Sequence, residues 1–315
     1  MYLNAQTWIN ENKYQEAYTY ATKVIADGHY PLASDYREIF LADNNTCKEI
    51  IWPLVQDGLR AQSSAGTNFY VKAFVNGPMD ELYKTGVGSR GWGNVRAKVS
   101  LVDAFDADDV MFDGNDTWGN NKKDKRAQFM TALPNQVKDT WDVNMDMTST
   151  FTCGYGYIKW RNVTKEDELS ASGDAYTSID FPLFRTADAY LMAAEAILRG
   201  ASGTKSEALG YVNEVRTRAY MSGKYAKNGV RSDVSGEIGA NELDLDFLLL
   251  ERQKELASEL IRRTDLIRFG KYTKGNNWDW KNGVRLGEDV DDKYNLFPIP
   301  ESELTNNPTL VQNDG

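Results

Sequence analysis

The chain has 315 residues and carries 36 Lys and Arg against 46 Asp and Glu, a net charge of −10. Its single histidine, His29, excludes any site built on two imidazoles, and an acidic chain with no basic run is a poor partner for nucleic acid. Two cysteines, Cys47 and Cys153, are too few for a thiolate metal site or a disulfide scaffold, and the sequence leaves open whether they are free or bonded.

The first residues contain no basic segment, apolar core or small-residue cleavage site of an export signal. No run approaches the ~18 consecutive apolar residues of a membrane span. Leu3, Ala5 and Trp8 carry apolar positions to the first residue with no N-cap before them, so an upstream portion is expected. Residues 13–27 place Tyr14, Ala17, Tyr18, Ala21, Val24 and Ile25 on one helical face, closed by Gly28. With 1–9 they form a helix pair of the small and aromatic content found in tetratricopeptide repeats. Residues 35–60 predict a short helix and then a strand over Glu49–Val55.

From 60 to 180 the aromatics, among them Phe69, Tyr70, Tyr83, Trp92, Trp118, Trp141, Tyr155, Tyr157 and Trp160, sit among turn residues instead of at helical spacing. This stretch reads as loop-rich, with short helices at 99–106 and 123–130 and a strand at 155–161; long loops in a compact protein are more often functional than decorative. Residues 183–199 and 205–219 predict a second helix pair. Residues 243–269 predict the longest helix, with Leu245, Leu248, Leu249, Leu256 and Leu260 buried and a break near Thr264. A polar loop with Trp278 and Trp280, an extended Pro298-Ile299-Pro300 and a polar tail follow.

Several blocks carry a resemblance. FPLFRTADAYLMAAEA, ALGYVNEVRTRA, ERQKELASELIRRTDLIRFGKY and YNLFPIPESELTNNPTLVQNDG resemble, in order, the C-terminal signatures of the SusD/RagB family of nutrient-binding lipoproteins. KYQEAYTYATKVIADGHYPL is similar to the family's repeat helix running into its turn. SRGWGNVRA, LVDAFDADD, KDKRAQFM and GYIKWRN resemble the segment around its ligand face. The resemblance implies a mainly α fold: a tetratricopeptide-like helical-repeat superhelix with a large, partly irregular region packed on one side. It implies one domain over 1–315 lacking its N-terminal part, with 1–60 and 181–315 as helical scaffold and 61–180 as the ligand-binding region. The implied function is non-catalytic binding of an oligosaccharide or polysaccharide and its delivery to a TonB-dependent, SusC-like transporter. The implied place is the outer-membrane surface of a Gram-negative, Bacteroides-type bacterium, held by a lipid anchor that this sequence lacks.

The residues support binding more than catalysis. Glu251, Glu255 and Glu259 stand four apart and could serve as a glycosidase acid pair. Arg252, Lys254, Arg262 and Arg263 interleave with them, however, and i,i+4 ion pairs explain the row more simply, with Asp265 and Arg268 in the same network. His29 lies in a Gly-His-Tyr-Pro turn, and no nucleophile, P-loop or dinucleotide motif is present. A sugar ring, by contrast, stacks its apolar face on an aromatic while hydroxyls meet polar groups at the rim. Trp92 is the first candidate, flanked by Gly91 and Gly93, with Asn94, Arg90 and Arg96 as hydrogen-bonding partners. Trp118 is second, and Tyr70 and Tyr83 are possible neighbours. No cofactor is expected. Asp103, Asp106, Asp108, Asp109, Asp113 and Asp116 offer oxygen ligands that would suit Ca²⁺, but the spacing is not that of an EF-hand and a solvated acidic face is the commoner reading. A glycoside hydrolase and a helical-repeat protein-interaction scaffold are the alternatives.

Overall fold

A computed structural model describes residues 1–60, 62, 64–75, 80, 83–110, 118–119, 121–130, 155–221, 235–275, 278, 281–284 and 287–313. Asp113, Asp116, Trp141, Cys153 and Trp280 lie outside the described residues. The chain divides into two compact units, Met1–Glu259 and Leu260–Gly315. No helix among the described residues is long and apolar enough to cross a membrane.

The first unit is built on helix pairs. Helices α1 (Tyr2–Asn10) and α2 (Tyr14–Asp27) pack on each other, and both pack on α4 (Thr186–Leu198), which also carries α5 (Lys205–Met221) and α6 (Leu245–Leu256). The predicted hairpins are therefore one continuous stack despite their separation in sequence. Helix α2 ends as expected, with Gly28 at φ 70°, a conformation that costs glycine little. Alanines at the α2–α4 contact, Ala17, Ala21, Ala189, Ala193 and Ala196, allow the helices to approach closely. In α1 the buried face is Tyr2, Ala5 and Ile9, whereas the sequence suggested Leu3, Ala5 and Trp8; Leu3 is exposed. The Tyr2 hydroxyl explains this choice, because it donates to the buried Asp188 carboxylate, which also accepts from Arg252 Nη1 at 2.7 Å. One carboxylate thus ties α1, α4 and α6 together. Helix α5 starts with a reciprocal cap: Glu207 N–H donates to the Thr204 hydroxyl at 3.2 Å, and the Glu207 carboxylate accepts the Thr204 N–H at 2.6 Å.

Three segments depart from expectation. Residues 183–185 belong to strand β4 (Phe181–Arg185), not to the helix that follows, and pair antiparallel with β1 (Ile50–Leu54). Pro53 faces Pro182 in this ladder beside irregular register, so the two missing donors fall where regular pairing is already interrupted. The expected helix over 123–130 is absent. Asp124 there accepts from Arg126 N–H at 3.1 Å, and Phe129–Met130 form β2, paired with β3 (Gly156–Tyr157). A single 3₁₀ turn, Tyr36–Phe40, replaces the predicted short helix near 35. The second hydrophobic core lies among these irregular segments. Trp160 is fully buried, with Phe181 stacked on it at 5.5 Å, Tyr70 at 5.3 Å and Phe40 edge-on at 4.9 Å.

The acidic row of the sequence lies at the heart of this unit. Glu251 pairs with Arg126 at 2.6 Å and Arg216 at 2.5 Å; Glu255 pairs with Arg185 at 2.7 Å, Arg126 at 3.2 Å and Arg218. Glu259 pairs with Arg185 at 2.6 Å and Lys159 at 2.5 Å, and Glu49 joins through Arg185 at 2.8 Å and Arg218 at 2.7 Å. The scaffold reading of the row holds, but its partners come from distant segments and not from the i,i+4 neighbours in sequence. Arg252 turns instead to Asp188.

The same contacts end α6 at Leu256, well before Thr264. The Glu255 carbonyl, which would continue the helix, accepts from Arg185 Nη2 at 2.8 Å and the Tyr36 hydroxyl at 3.1 Å, and the Ala257 carbonyl accepts from Lys159 Nζ at 2.7 Å. Side-chain donors thus satisfy carbonyls that a helix end leaves open. The chain then turns through Ser258 (φ 61°) and Leu260 (φ 64°), left-handed positions that non-glycine residues rarely adopt.

The second unit contains α7 (Arg262–Arg268) and α8 (Glu301–Asn306). Arg263 organises it, donating to the Tyr294 and Asn295 carbonyls at 2.9 and 3.0 Å and lying over the Phe297 ring at 4.1 Å. The tail is fixed by Gln312, whose amide exchanges two hydrogen bonds with the Ile299 backbone at 2.8 and 2.9 Å. Trp278 donates from Nε1 to the Tyr272 carbonyl at 2.9 Å and packs on that residue's ring.

Candidate functional site

The site begins with a short helix, α3 (Thr67–Lys72). Its first turn is anchored by the Thr67 hydroxyl, which donates to the Ile179 carbonyl at 2.8 Å. Its C-terminal carbonyls are taken by the glycine-flanked segment of the sequence: Trp92 N–H donates to Lys72 at 2.8 Å, Asn94 and Val95 to Ala73 at 2.9 Å, and Gly93 to Val75 at 2.8 Å. Gly93 adopts φ 58°, which lets three neighbouring residues turn onto one helix end.

This staple sets Trp92 beside Phe69, with ring centroids 6.3 Å apart and planes tilted by 58°. Both rings are open, at 41% and 42% exposure. They are rooted in the core, since Phe69 meets Tyr70 edge-on at 5.8 Å and Tyr70 stacks on Trp160 at 5.3 Å. The result is a fixed, solvent-facing aromatic surface.

Polar groups edge the surface. Arg90 Nε donates to Asp174 Oδ1 at 3.0 Å, and both side chains keep substantial exposure. Asn94 is exposed, and Arg96 Nη1 donates to the Gly93 carbonyl at 3.4 Å. Lys72 is buried; its ammonium donates to the Ala175 carbonyl and lies over the Tyr176 ring at 5.8 Å. Burial first, and then the nearby Arg90 charge, push its pKa below the usual lysine value. The loop carrying Asp174 is pinned by Asn162, whose amide donates to Gly173 at 2.8 Å and accepts from Ser178 N–H at 3.3 Å.

The structure therefore brings together Trp92, Asn94, Arg90 and Arg96, and it adds Phe69, Asp174 and Lys72. Phe69 had a weak signal, an aromatic one turn from Lys72 among turn residues. Asp174 had none, because its partner is far away in sequence. Three aromatic candidates stand differently. Tyr83 is 2% exposed and belongs to the core, so its ring cannot serve as a platform. Tyr70 supports Phe69 from beneath. Trp118 is half-buried, with the Arg161 guanidinium over its ring at 4.4 Å and Arg37 at 5.7 Å, and its carbonyl accepts from Arg37 Nη1 at 3.0 Å. It clamps two arginines, and no ring contact among the described residues joins it to Trp92. Trp52, on β1, is exposed as well, but its ring neighbour is Phe184 and the side chains beside it, Leu54 and Val55, are aliphatic.

Among the described residues the carboxylates named above serve as ion-pair partners and not as an acid–base pair at this surface. Burial alone would raise the Glu255 pKa, but Arg218, Arg185 and Arg126 outweigh it and hold the carboxyl at about 2. In the acidic run, Asp109 is buried and accepts the Lys123 and Asp124 N–H groups at 2.7 and 3.1 Å. Among the described residues no group of three or more His, Cys, Asp or Glu is placed to hold a metal.

Comparison with known proteins agrees with this architecture. A sequence model of the SusD family matches residues 48–315. The starch-binding protein SusD of Bacteroides thetaiotaomicron is 32% identical over all of this chain and 58% of its own length. SusD-like protein P25 of Formosa agariphila is 25% identical over 99% of this chain and 57% of its own. Among solved structures, surface glycan-binding protein A from B. thetaiotaomicron, in complex with laminarihexaose, matches with a TM-score of 0.64 at 22% identity, covering 98% of this chain and 62% of that one. A SusD-like protein from Bacteroides fragilis matches with a TM-score of 0.66 at 20% identity, covering 100% of this chain and 64% of that one. The chain thus spans somewhat under two thirds of each relative.

Proposed function

The chain belongs to the SusD family, and on that premise we propose that it binds an oligosaccharide or polysaccharide without cleaving it. The observation that carries the reading is the exposed Trp92–Phe69 pair, held rigid by the core beneath and edged by Arg90, Asp174 and Asn94. The apolar C–H face of a pyranose stacks on such rings, while its hydroxyls exchange hydrogen bonds with the rim. Two tilted rings suit a curved chain of sugars better than a single flat face would. The names of the relatives support the reading, one being a starch-binding protein and one having been solved with laminarihexaose.

The proposal extends to the protein's place and partner. The ligand is captured at the outer-membrane surface of a Bacteroides-type bacterium and delivered to a TonB-dependent, SusC-like transporter. Stacking over a small open area gives modest affinity per site, which suits a protein that must release its ligand onward. Electrophoresis through native gels containing amylopectin, laminarin, xylan or pectin tests the binding step. The expected result is retardation in at least one gel that disappears in Trp92→Ala. Equal mobility of the unaltered protein in every gel contradicts the proposal.

A further inference from the structure

Of the charged groups beside Trp92, Arg90 and Asp174 are matched to each other. Arg90 places Nε on Asp174 at 3.0 Å, leaving a guanidinium with further N–H donors next to a carboxylate with further lone pairs. Lys72 spends its ammonium on the Ala175 carbonyl and is buried, and Arg96 directs Nη1 to the Gly93 carbonyl at 3.4 Å. Arg90 therefore reaches solvent at the aromatic surface with its own counter-charge. An unpaired arginine there would grip a carboxylate or sulfate through two parallel hydrogen bonds.

We infer that the Arg90–Asp174 pair makes this surface selective for uncharged oligosaccharides, whose adjacent hydroxyls it engages, over glycans carrying uronate or sulfate groups. The inference rests on the glycan-binding reading above and deepens it. Each sugar hydroxyl can both donate and accept, so of two neighbouring hydroxyls one donates to Asp174 while the other accepts from Arg90. Both bonds are charge-assisted, and the pair stays electrically neutral throughout. A uronate or sulfate can only accept. It would compete with Asp174 for Arg90 and leave two like charges side by side at a desolvating contact. The chain's net charge of −10 opposes polyanions at longer range as well.

Titration calorimetry on the whole chain tests this with neutral hexasaccharides (malto-, laminari-, cello-, manno- and xylo-linked) and with hexagalacturonate as the acidic probe. The expected result is that the best neutral ligand binds at least about tenfold tighter than hexagalacturonate. In Asp174→Asn the neutral affinity falls and hexagalacturonate binding rises, so that the ratio narrows severalfold, with an unchanged melting temperature. In Arg90→Gln the neutral affinity falls and hexagalacturonate gains nothing, at an unchanged melting temperature that separates this outcome from simple loss of fold. Tighter binding of hexagalacturonate by the unaltered protein, lost in Trp92→Ala, would overturn the selectivity while leaving the glycan-binding reading intact. A ratio unmoved by Asp174→Asn would also overturn it. Binding of none of these sugars, or binding indifferent to Trp92→Ala, would instead remove the reading on which the inference stands.

Discussion

Arg185 holds Glu255 twice, by its carboxylate from Nη1 at 2.7 Å and by its main-chain carbonyl from Nη2 at 2.8 Å. The same guanidinium reaches Glu259 through Nε at 2.6 Å and Glu49 through Nη1 at 2.8 Å. One side chain thus joins β4, the last turn of α6 and the segment before β1, and it fixes where α6 stops. All four groups are buried. Removing one partner of such a cluster leaves uncompensated charge out of water, which costs more than the pair contributes when intact.

Arg185→Met is therefore expected to destabilise the protein by about 3–5 kcal/mol, the range for breaking a buried pair. Urea denaturation followed by circular dichroism measures this as a lower midpoint. Arg185→Lys should rescue only part of the loss, because an ammonium cannot span the Glu255 carbonyl and the carboxylates at once.

The acid limb of stability should carry the signature of Glu255. Its folded pKa of about 2 lies below the ordinary glutamate value, through Arg218, Arg185 and Arg126 overcoming burial. A depressed carboxyl contributes stability above its unfolded pKa and loses it as pH falls through the folded one. The loss from this group should therefore run from about pH 4.5 down to about pH 2, with a slope of up to ~1.4 kcal/mol per pH unit. Glu255→Gln, less stable at neutral pH, should show a shallower decline across that window in denaturation midpoints taken at successive pH values.

Trp118 and Tyr83 should behave as scaffold. Tyr83→Ala is expected to cost about 3–5 kcal/mol, as large aromatic truncations in a core do. Trp118→Ala removes a ring from between Arg161 and Arg37 and should cost about 1–2 kcal/mol in stability. Both variants, where folded, should bind the glycan panel as the unaltered protein does; a loss of affinity in Trp118→Ala without a change in melting temperature would return that ring to the binding surface.

Much of the architecture is legible in the order of residues wherever local periodicity decides it. The Ala17–Ala21–Val24 stripe and Gly28 define α2, and the run from Ile50 to Leu54 defines β1, because each pattern is complete within its own segment. Legibility fails where a distant group decides. Nothing near Leu256 announces that Arg185, Tyr36 and Lys159 will take the carbonyls of the next turn. The positions four away from Glu251, Phe247 and Glu255, offer it no cation, yet nothing near it shows that its partners are Arg126 and Arg216. Pro182 is compatible with a helix beginning at 183, and only the pairing with β1 makes the chain extended there.

The candidate site divides along the same line. Trp92 stood out because glycines on both sides leave a ring uncovered, a property of three consecutive residues. Phe69 and Asp174 reach it only through the fold, by way of the α3 carbonyls and the Asn162-pinned loop. Tyr83, Tyr70 and Trp118 share Trp92's turn-rich surroundings in sequence, and only burial and ring contacts distinguish support from platform.

The central claim is that Trp92 binds sugar and does little for the fold. Its most direct test pairs calorimetric titration of Trp92→Ala, using the oligosaccharide that the unaltered protein binds best, with the thermal midpoint of the same sample. The account predicts an affinity loss of at least about tenfold and a midpoint shift of no more than about 2 °C, as for a surface substitution. Unchanged affinity with a midpoint lowered by many degrees would contradict it, because Trp92 would then be holding the loop to the scaffold and not the ligand.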